Sequence, residues 1–231
     1  LFVQYRFALT ATRKIATNKN NISERSKIFS DVLFAKALLL LCSLIIFIIL
    51  LYSLPQLSTE KPLAIYSFIY CFSLILTPNW LFQGMQELHQ IALCNFIAKL
   101  SFTIFLFLLI KSKQDYVLQP LIFSISTILV GIFAIIFSLK KYQIKIIKVK
   151  ISDILLLLWE GKTVFLSIIL LNLYTTANLI IIGFVQNNHA VAIYSASWKL
   201  IVAVQALISL PLSLSLFPFI GESFGISKLK G

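Results

Sequence analysis

The sequence predicts an all-α, polytopic integral membrane protein. Hydrophobic residues make up 59% of its 231 residues, whereas a soluble globular chain is about 45–50% apolar. The mean hydropathy is +0.96, and several apolar runs approach the ~20 residues that a helix needs to cross a bilayer. Because a backbone in hydrocarbon has to satisfy its own hydrogen bonds, helices are the expected spanning elements.

Six apolar segments are long enough to span the bilayer, and most are joined by short connections. Neighbouring helices are therefore expected to run antiparallel. An earlier span is expected to end within residues 1–12. Since the chain begins at Leu1 and its one methionine is Met85, we expect an internal fragment, or one whose start is missing. The six predicted spans are 32–54, 63–83, 91–110, 117–139, 163–185 and 191–217.

The distribution of basic residues predicts the orientation of these helices. If residues 13–31 are cytoplasmic, the opposite side holds only Lys61, Lys111 and Lys113. This asymmetry follows the positive-inside rule and makes the net charge of +12 a topology signal rather than evidence for a nucleic-acid partner. The cytoplasmic segments and their flanks hold Arg6, Arg13, Lys14, Lys19, Arg25, Lys27, Lys36, Lys140, Lys141, Lys145, Lys148, Lys150, Lys162, Lys228 and Lys230.

The longest basic connector, residues 140–162, divides the predicted chain into an N-terminal lobe (1–139) and the start of a C-terminal lobe (163–231). Lysines alternate with isoleucine and valine in its first half, and Ser152 is a candidate N-cap in its second half. This pattern predicts a short amphipathic helix at the cytoplasmic interface. A solvated tether close to anionic lipid fits the same residues.

Lys99 is the first of two lysines, with Lys199, that fall deep inside predicted spans. It shares one helix face with Asn95 and Thr103, at spacings of four residues. Counting residues places it about 12 Å from the cytoplasmic end of its span. None of the eight acidic residues lies deep in a span, so Lys99 has no carboxylate partner there.

Two further helices carry comparable polar, cationic faces. A lipid-facing stripe of this kind would be costly, so we expect the three stripes to face one another around a water-filled cavity that suits an anion such as a diphosphate. For each basic residue the alternative is that a buried stem lets the charged group reach the headgroups. The two faces are Ser195, Lys199, Ala206, Ser209 and Ser213 in the last span, and Arg6, Thr10, Arg13 and Thr17 near the start.

A further polar cluster contains Asn172, Thr175, Thr176 and Asn178. Its members either face the cavity or form hydrogen bonds between helices. No nucleophile–base pair, glycine-rich phosphate loop or metal-ligand spacing is present, and His89 and His189 are predicted on opposite sides of the membrane. The sequence therefore favours a non-enzymatic membrane protein without a cofactor.

Four stretches resemble motifs of Wzx-type O-antigen flippases, within the superfamily that includes MATE exporters and lipid II flippases. They occur in order along the chain: "YRFALTATRKIA" (5–16), "TPNWLFQGMQEL" (77–88), "YTTANLIIIGF…AVAIYSASWKL" (174–200) and "LPLSLSLFPFIGE" (210–222).

The resemblance implies a two-lobe helical bundle of the MOP/MATE-like type, of which this chain would cover the end of helix 2 to helix 8. It also implies alternating access by rocking of the lobes, driven by H⁺ or Na⁺ as a coupling ion, in the bacterial inner membrane. The substrate would be an undecaprenyl-diphosphate-linked glycan, and membrane lipids, a polysaccharide polymerase and a chain-length regulator would be partners.

Under this interpretation the cationic residues Lys99, Lys199, Arg6 and Arg13 attract the diphosphate, and the amides of Asn95 and Asn178 bind sugar or phosphate. Three alternatives remain: a MATE-type exporter of small molecules, a polytopic glycan polymerase or acyltransferase, and a structural membrane subunit. Deep lysines without deep carboxylates oppose a cation exporter. Short loops oppose the enzymes.

Overall fold

The structure is a computed structural model that describes residues 7–186 and 189–205, and all regular secondary structure in these ranges is helical. The chain forms two compact units, Leu1–Ser167 and Ile168–Gly231. The helices are α1 (Phe7–Thr17), α2 (Ile22–Ser53), α3 (Pro55–Thr59), α4 (Lys61–Leu76), α5 (Asn79–Gly84), α6 (Leu88–Leu109), a 3₁₀ turn (Lys113–Val117), α7 (Leu118–Lys141), α8 (Ile151–Val185) and α9 (189–205).

Five helical segments within the described residues are long and apolar enough to cross a membrane. The predicted all-α, polytopic membrane class is therefore confirmed. The predicted span 191–217 begins within α9, and its remainder lies outside the described residues. The five segments are Ile22–Ser53, Lys61–Gly84, Leu88–Leu109, Lys113–Lys141 and Phe165–Val185.

Helix α2 begins ten residues before the predicted span, because a capping interaction starts it. The Asn21 side chain accepts a hydrogen bond of 3.1 Å from the backbone N–H of Glu24, which satisfies one of the free donors at a helix N-terminus. With 32 residues, α2 is about 48 Å long. It is therefore longer than the ~30 Å hydrocarbon core, and its charged first turns can extend beyond the membrane.

The predicted span 63–83 is interrupted at Thr77 and Pro78, where α4 ends and α5 begins. Proline has no backbone N–H and disfavours helical geometry in the residue before it. Helix α7 contacts α4 at this interruption, where Gly131 lies against Leu76, the last residue of α4. A Cβ placed on Gly131 would lie 2.8 Å from the Cβ of Leu76, so only glycine permits this approach.

The main core lies at one end of the first unit, where α2 begins and α7 ends; we call this the basic end. Its aromatic contacts join Phe29 to Trp80, with ring centroids 5.9 Å apart, and Phe82 to Tyr142, at 6.4 Å. Towards the other end, α6 and α7 pack through Phe102 and Phe123, whose ring centroids are 5.2 Å apart.

The connector between α7 and α8 is only partly helical. Residues 144–150 have no regular secondary structure, and α8 then runs without a break from Ile151 to Val185. One helix thus covers both the predicted amphipathic stretch and the predicted span 163–185. The division into lobes at 140–162 stays a prediction.

Gly84, at the end of α5, provides a test of how closely α1 is packed. A Cβ at this position would lie 2.6 Å from Ile15 Cγ2 and 3.0 Å from the backbone oxygen of Thr12. We expect Gly84→Ala to destabilise the protein by about 1–3 kcal/mol through overpacking, measured as a lower thermal unfolding temperature in detergent.

The matched control is Gly183→Ala, because a Cβ there would make only an ordinary contact of 3.8 Å with Val191. Alanine is the better helix former, so this variant should unfold at or slightly above the wild-type temperature. Equal destabilisation by both substitutions would contradict close packing at Gly84.

Candidate functional site

The predicted stripe on α6 lies on an exposed face of that helix. Asn95, Lys99 and Thr103 are all exposed, while Ala98 is buried and Phe102 packs on α7. The Thr103 hydroxyl donates a 2.8 Å hydrogen bond to the backbone oxygen of Lys99. Within the described residues, the side chains of Asn95 and Lys99 form no hydrogen bond or ion pair, so their polar groups are available to a ligand.

Arg13 projects from the exposed side of α1. The opposite side of α1 packs on α5, where Ala11 and Ile15 are fully buried and the Thr12 hydroxyl donates a 3.1 Å hydrogen bond to the backbone oxygen of Trp80. Because α1 packs against α5 and α2, Arg13 belongs to a different helix pair from the α6 stripe. Arg6, the other predicted residue of this face, lies outside the described residues.

In the second unit, Lys199 is exposed on α9. The Asn178 amide donates a 3.2 Å hydrogen bond to the hydroxyl of Tyr194, linking α8 to α9. Asn172 donates to the backbone oxygen of Ile168 at 2.8 Å. Only the Asn178 contact corresponds to the predicted bonding between helices, since the Asn172 bond lies within α8. The role of Asn178 towards a substrate stays a prediction.

A buried lysine, Lys36, was missed as a deep charge because its position near a predicted span end suggested a flanking role. It is only 5% exposed, and its Nζ donates to the backbone oxygens of Leu74 at 2.8 Å and Thr77 at 3.4 Å. These carbonyls end α4 and have no donor within that helix. A cation at a helix C-terminus is also favoured by the helix dipole. Lys36 therefore stabilises the break at Pro78.

Arg25 is a second buried cation on α2, with 9% exposure. Its Nη2 donates a 3.0 Å hydrogen bond to the backbone oxygen of Tyr142, and its Nη1 donates to the backbone oxygen of Lys19. Arg25 thus joins the α1–α2 turn to the chain that leaves α7. Sequence reasoning missed this role, since a basic residue in a predicted loop carries no signal of burial.

An ion pair between Glu87, which precedes α6, and Lys141, the last residue of α7, links these two helices at the basic end. Burial favours a higher pKa for the Glu87 carboxyl, but the hydrogen bond from Lys141 and the charges of Lys141 and His89 outweigh it and lower the pKa. Burial is the main cause that raises the pKa of the Tyr142 hydroxyl, and the nearby Glu87 carboxylate raises it further. Within the described residues this hydroxyl forms no hydrogen bond.

Five helices of membrane length and their mostly exposed apolar surfaces define a multi-pass membrane protein. The chain belongs to the family described as polysaccharide biosynthesis protein, whose model matches residues 1–224. The family resemblance predicted from the four motifs is therefore confirmed.

Two curated relatives carry the name "Putative O-antigen transporter". The one from Shigella dysenteriae is 32% identical over 233 residues, and the one from Escherichia coli strain K12 is 26% identical over 232 residues. Both alignments cover 100% of this chain but 58% and 55% of the relatives. The chain thus spans little more than half the length of these relatives. No solved structure matches it.

The buried amine of Lys36 can be tested by Lys36→Met, which keeps the apolar stem and removes the donor. The carbonyls of Leu74 and Thr77 would lose this partner at a buried site. We expect a loss of about 1–3 kcal/mol in the free energy of unfolding, measured by chemical unfolding in detergent. Lys99→Met is the control, because the Lys99 amine has no partner in the described residues, and it should be neutral. A neutral Lys36→Met would contradict the capping role.

The Glu87–Lys141 pair predicts a pH dependence. A carboxyl whose pKa is lowered on folding contributes stability above its unfolded value, about 4.3, and this contribution disappears as the pH falls through the folded value. The free energy of unfolding of the wild type, measured by thermal unfolding at pH 7, should therefore exceed that of Glu87→Gln by no more than about 1 kcal/mol. The two should converge below pH 4. A constant difference across this range would show that the ionised pair is not the cause.

Proposed function

We propose that this protein is a flippase that moves an undecaprenyl-diphosphate-linked oligosaccharide, an O-antigen or capsule repeat unit, across the bacterial cytoplasmic membrane. It acts as a transporter and not as an enzyme. Membership of the polysaccharide biosynthesis family supports the class, and the name of both curated relatives supports an O-antigen cargo. The basic end of the helices faces the cytoplasm in this proposal, in agreement with the positive-inside rule.

The observation that carries the proposal is the contrast between the two lysines inside the spans of the first unit. Lys36 is buried and its amine is satisfied by two carbonyls. Lys99 is exposed, and its amine has no partner within the described residues. A charged side chain at membrane depth is costly unless it meets water or a counter-charge, so Lys99 suits a cavity that admits an anionic head group.

Asn95 lies one turn from Lys99 and offers an amide to phosphate or sugar. The predicted roles of Arg13 on α1 and of Lys199 on α9 towards the diphosphate belong to the same proposal. The diphosphate would interact with these cations through charge-assisted hydrogen bonds. Alternating access, coupling to H⁺ or Na⁺, and association with a polymerase and a chain-length regulator belong to the same proposal.

Deletion of the full-length gene in its host tests the function. We expect lipid-diphosphate-linked oligosaccharide to accumulate on the inner leaflet and surface polysaccharide to be lost, with both restored by the wild-type gene. Normal surface polysaccharide combined with altered resistance to cationic compounds would instead indicate a MATE-type exporter.

Complementation with variants tests the role of Lys99. Lys99→Ala should lower export by about tenfold or more, because a hydrogen bond to a charged group contributes about 1.5–3 kcal/mol, and Lys99→Arg should retain more activity. Lys111→Ala is the matched control, since it removes an exposed lysine beyond the other end of α6. Wild-type export by Lys99→Ala, at normal protein levels, would remove Lys99 from the substrate site.

A further inference from the structure

The segment "IKIIKVK", residues 144–150, lies against α2 in an ordered way; we call it the strap. The backbone N–H of Lys145 donates a 3.1 Å hydrogen bond to Ser26 Oγ, and the N–H of Ile147 donates a 3.0 Å hydrogen bond to Ser30 Oγ. Both hydroxyls donate in turn to carbonyls one turn earlier in α2, those of Ile22 and Ser26. Each serine hydroxyl therefore accepts a hydrogen bond from the strap while it donates its own hydrogen bond to a carbonyl of α2.

The spacing of these bonds explains their register. Serines four residues apart lie on one face of a helix, about 6 Å apart, and two residues of extended chain advance about 6.6 Å. Alternate N–H groups of the strap therefore meet successive turns of α2. Ile144 is buried beside this contact, and Arg25 holds the preceding carbonyl of Tyr142.

This attachment uses backbone atoms and leaves the lysine side chains exposed. The Lys145, Lys148 and Lys150 side chains are all exposed, next to the exposed isoleucines Ile146 (54%) and Ile147 (39%). The first turns of α8 continue the same composition. They expose the apolar side chains Ile151, Leu155, Leu156 and Trp159, and Lys162 Nζ lies 3.2 Å from the centroid of the Trp159 indole.

We propose that the strap and the first turns of α8, residues 144–162, form a binding surface for anionic phospholipids of the leaflet at the basic end. The charge complementarity is direct, since the exposed lysines meet phosphate-bearing headgroups. The exposed isoleucine, leucine and tryptophan side chains suit the boundary between headgroups and acyl chains. The strap belongs to the end of helices that cross the membrane, which places it near this boundary.

The two hydrogen bonds to α2 distinguish the strap from a loose tether. Because hydrogen bonds to α2 already fix its backbone, binding a headgroup orders fewer degrees of freedom. The same lysines disfavour the other use of an extended edge, the addition of a strand from a partner, because charged edge residues oppose such pairing. The proposal does not depend on transport, so the two can fail separately.

Fluorescence of Trp159 provides the test, using full-length protein reconstituted in vesicles. Subtracting the signal of a Trp159→Phe variant isolates this residue from the buried Trp80 and other tryptophans. The quenchers are brominated phosphatidylglycerol and brominated phosphatidylcholine, each added at equal mole fraction to phosphatidylcholine vesicles. We expect stronger quenching by the anionic lipid, and we expect this preference to weaken as ionic strength rises.

The decisive variant is Lys145→Gln combined with Lys148→Gln. Its matched control is Lys111→Gln combined with Lys113→Gln, which removes the same charge from the opposite end of the helices. The strap variant should lose about fivefold in preference for each lysine removed, while the control should keep it. The Lys145 and Lys148 side chains take no part in the hydrogen bonds to α2, so the fold should be retained. A thermal unfolding temperature equal to that of the wild type would verify this.

Equal quenching by both lipids in the wild type would overturn the proposal. An undiminished preference in the strap variant would also overturn it, because the preference would then arise elsewhere. A preference that does not respond to ionic strength would show that charge is not its basis, and it would overturn the proposal even if the variant were poorly folded.

Discussion

A polypeptide in hydrocarbon cannot leave a backbone donor or acceptor without a partner, and α2 supplies partners at several places where the first unit departs from helical geometry. Lys36 satisfies carbonyls at the end of α4, and Arg25 satisfies the carbonyl of Tyr142 after α7. Two serines of α2 accept from the strap. The interrupted helix pair α4–α5 and the ordered connector therefore both depend on side chains of a single helix.

The spacing of these residues explains how one helix can do this. Arg25, Phe29, Val32 and Lys36 recur at intervals of three and four residues, which places them on one face, and all four are buried. The two apolar members pack in the core, whereas the two cations at its ends reach carbonyls of neighbouring segments. The polar contacts are therefore excluded from bulk water by the packing between them. A buried charge is tolerated here because it is hydrogen-bonded.

The spans of the first unit could be predicted from apolar runs alone, because hydropathy reports the bilayer directly. The start of α2 could not, since the Asn21 cap and the buried Arg25 extend the helix through a charged stretch. The break at Pro78 had a local signal in the Thr-Pro pair, but the apolar run masked it. The pairing of the strap with α2 had no sequence signal, because it joins residues 117 to 119 positions apart. It is visible only in the tertiary structure.

The candidate site was equally difficult to predict from the sequence, as Lys36 and Lys99 of the first unit show. Residue type does not separate Lys36 from Lys99, and each lies in a helix that can cross the membrane. What separates them is whether unpaired carbonyls lie within reach. Lys36 faces the end of α4, where the chain break leaves acceptors free, while Lys99 lies on an exposed face of α6, away from the contact of Phe102 with α7. Intact helices have no spare carbonyls at mid-length, and within the described residues no carbonyl accepts from the amine of Lys99. A lysine opposite a helix break is therefore expected to be structural, whereas one on an exposed face of an unbroken helix is the better candidate for binding an anion.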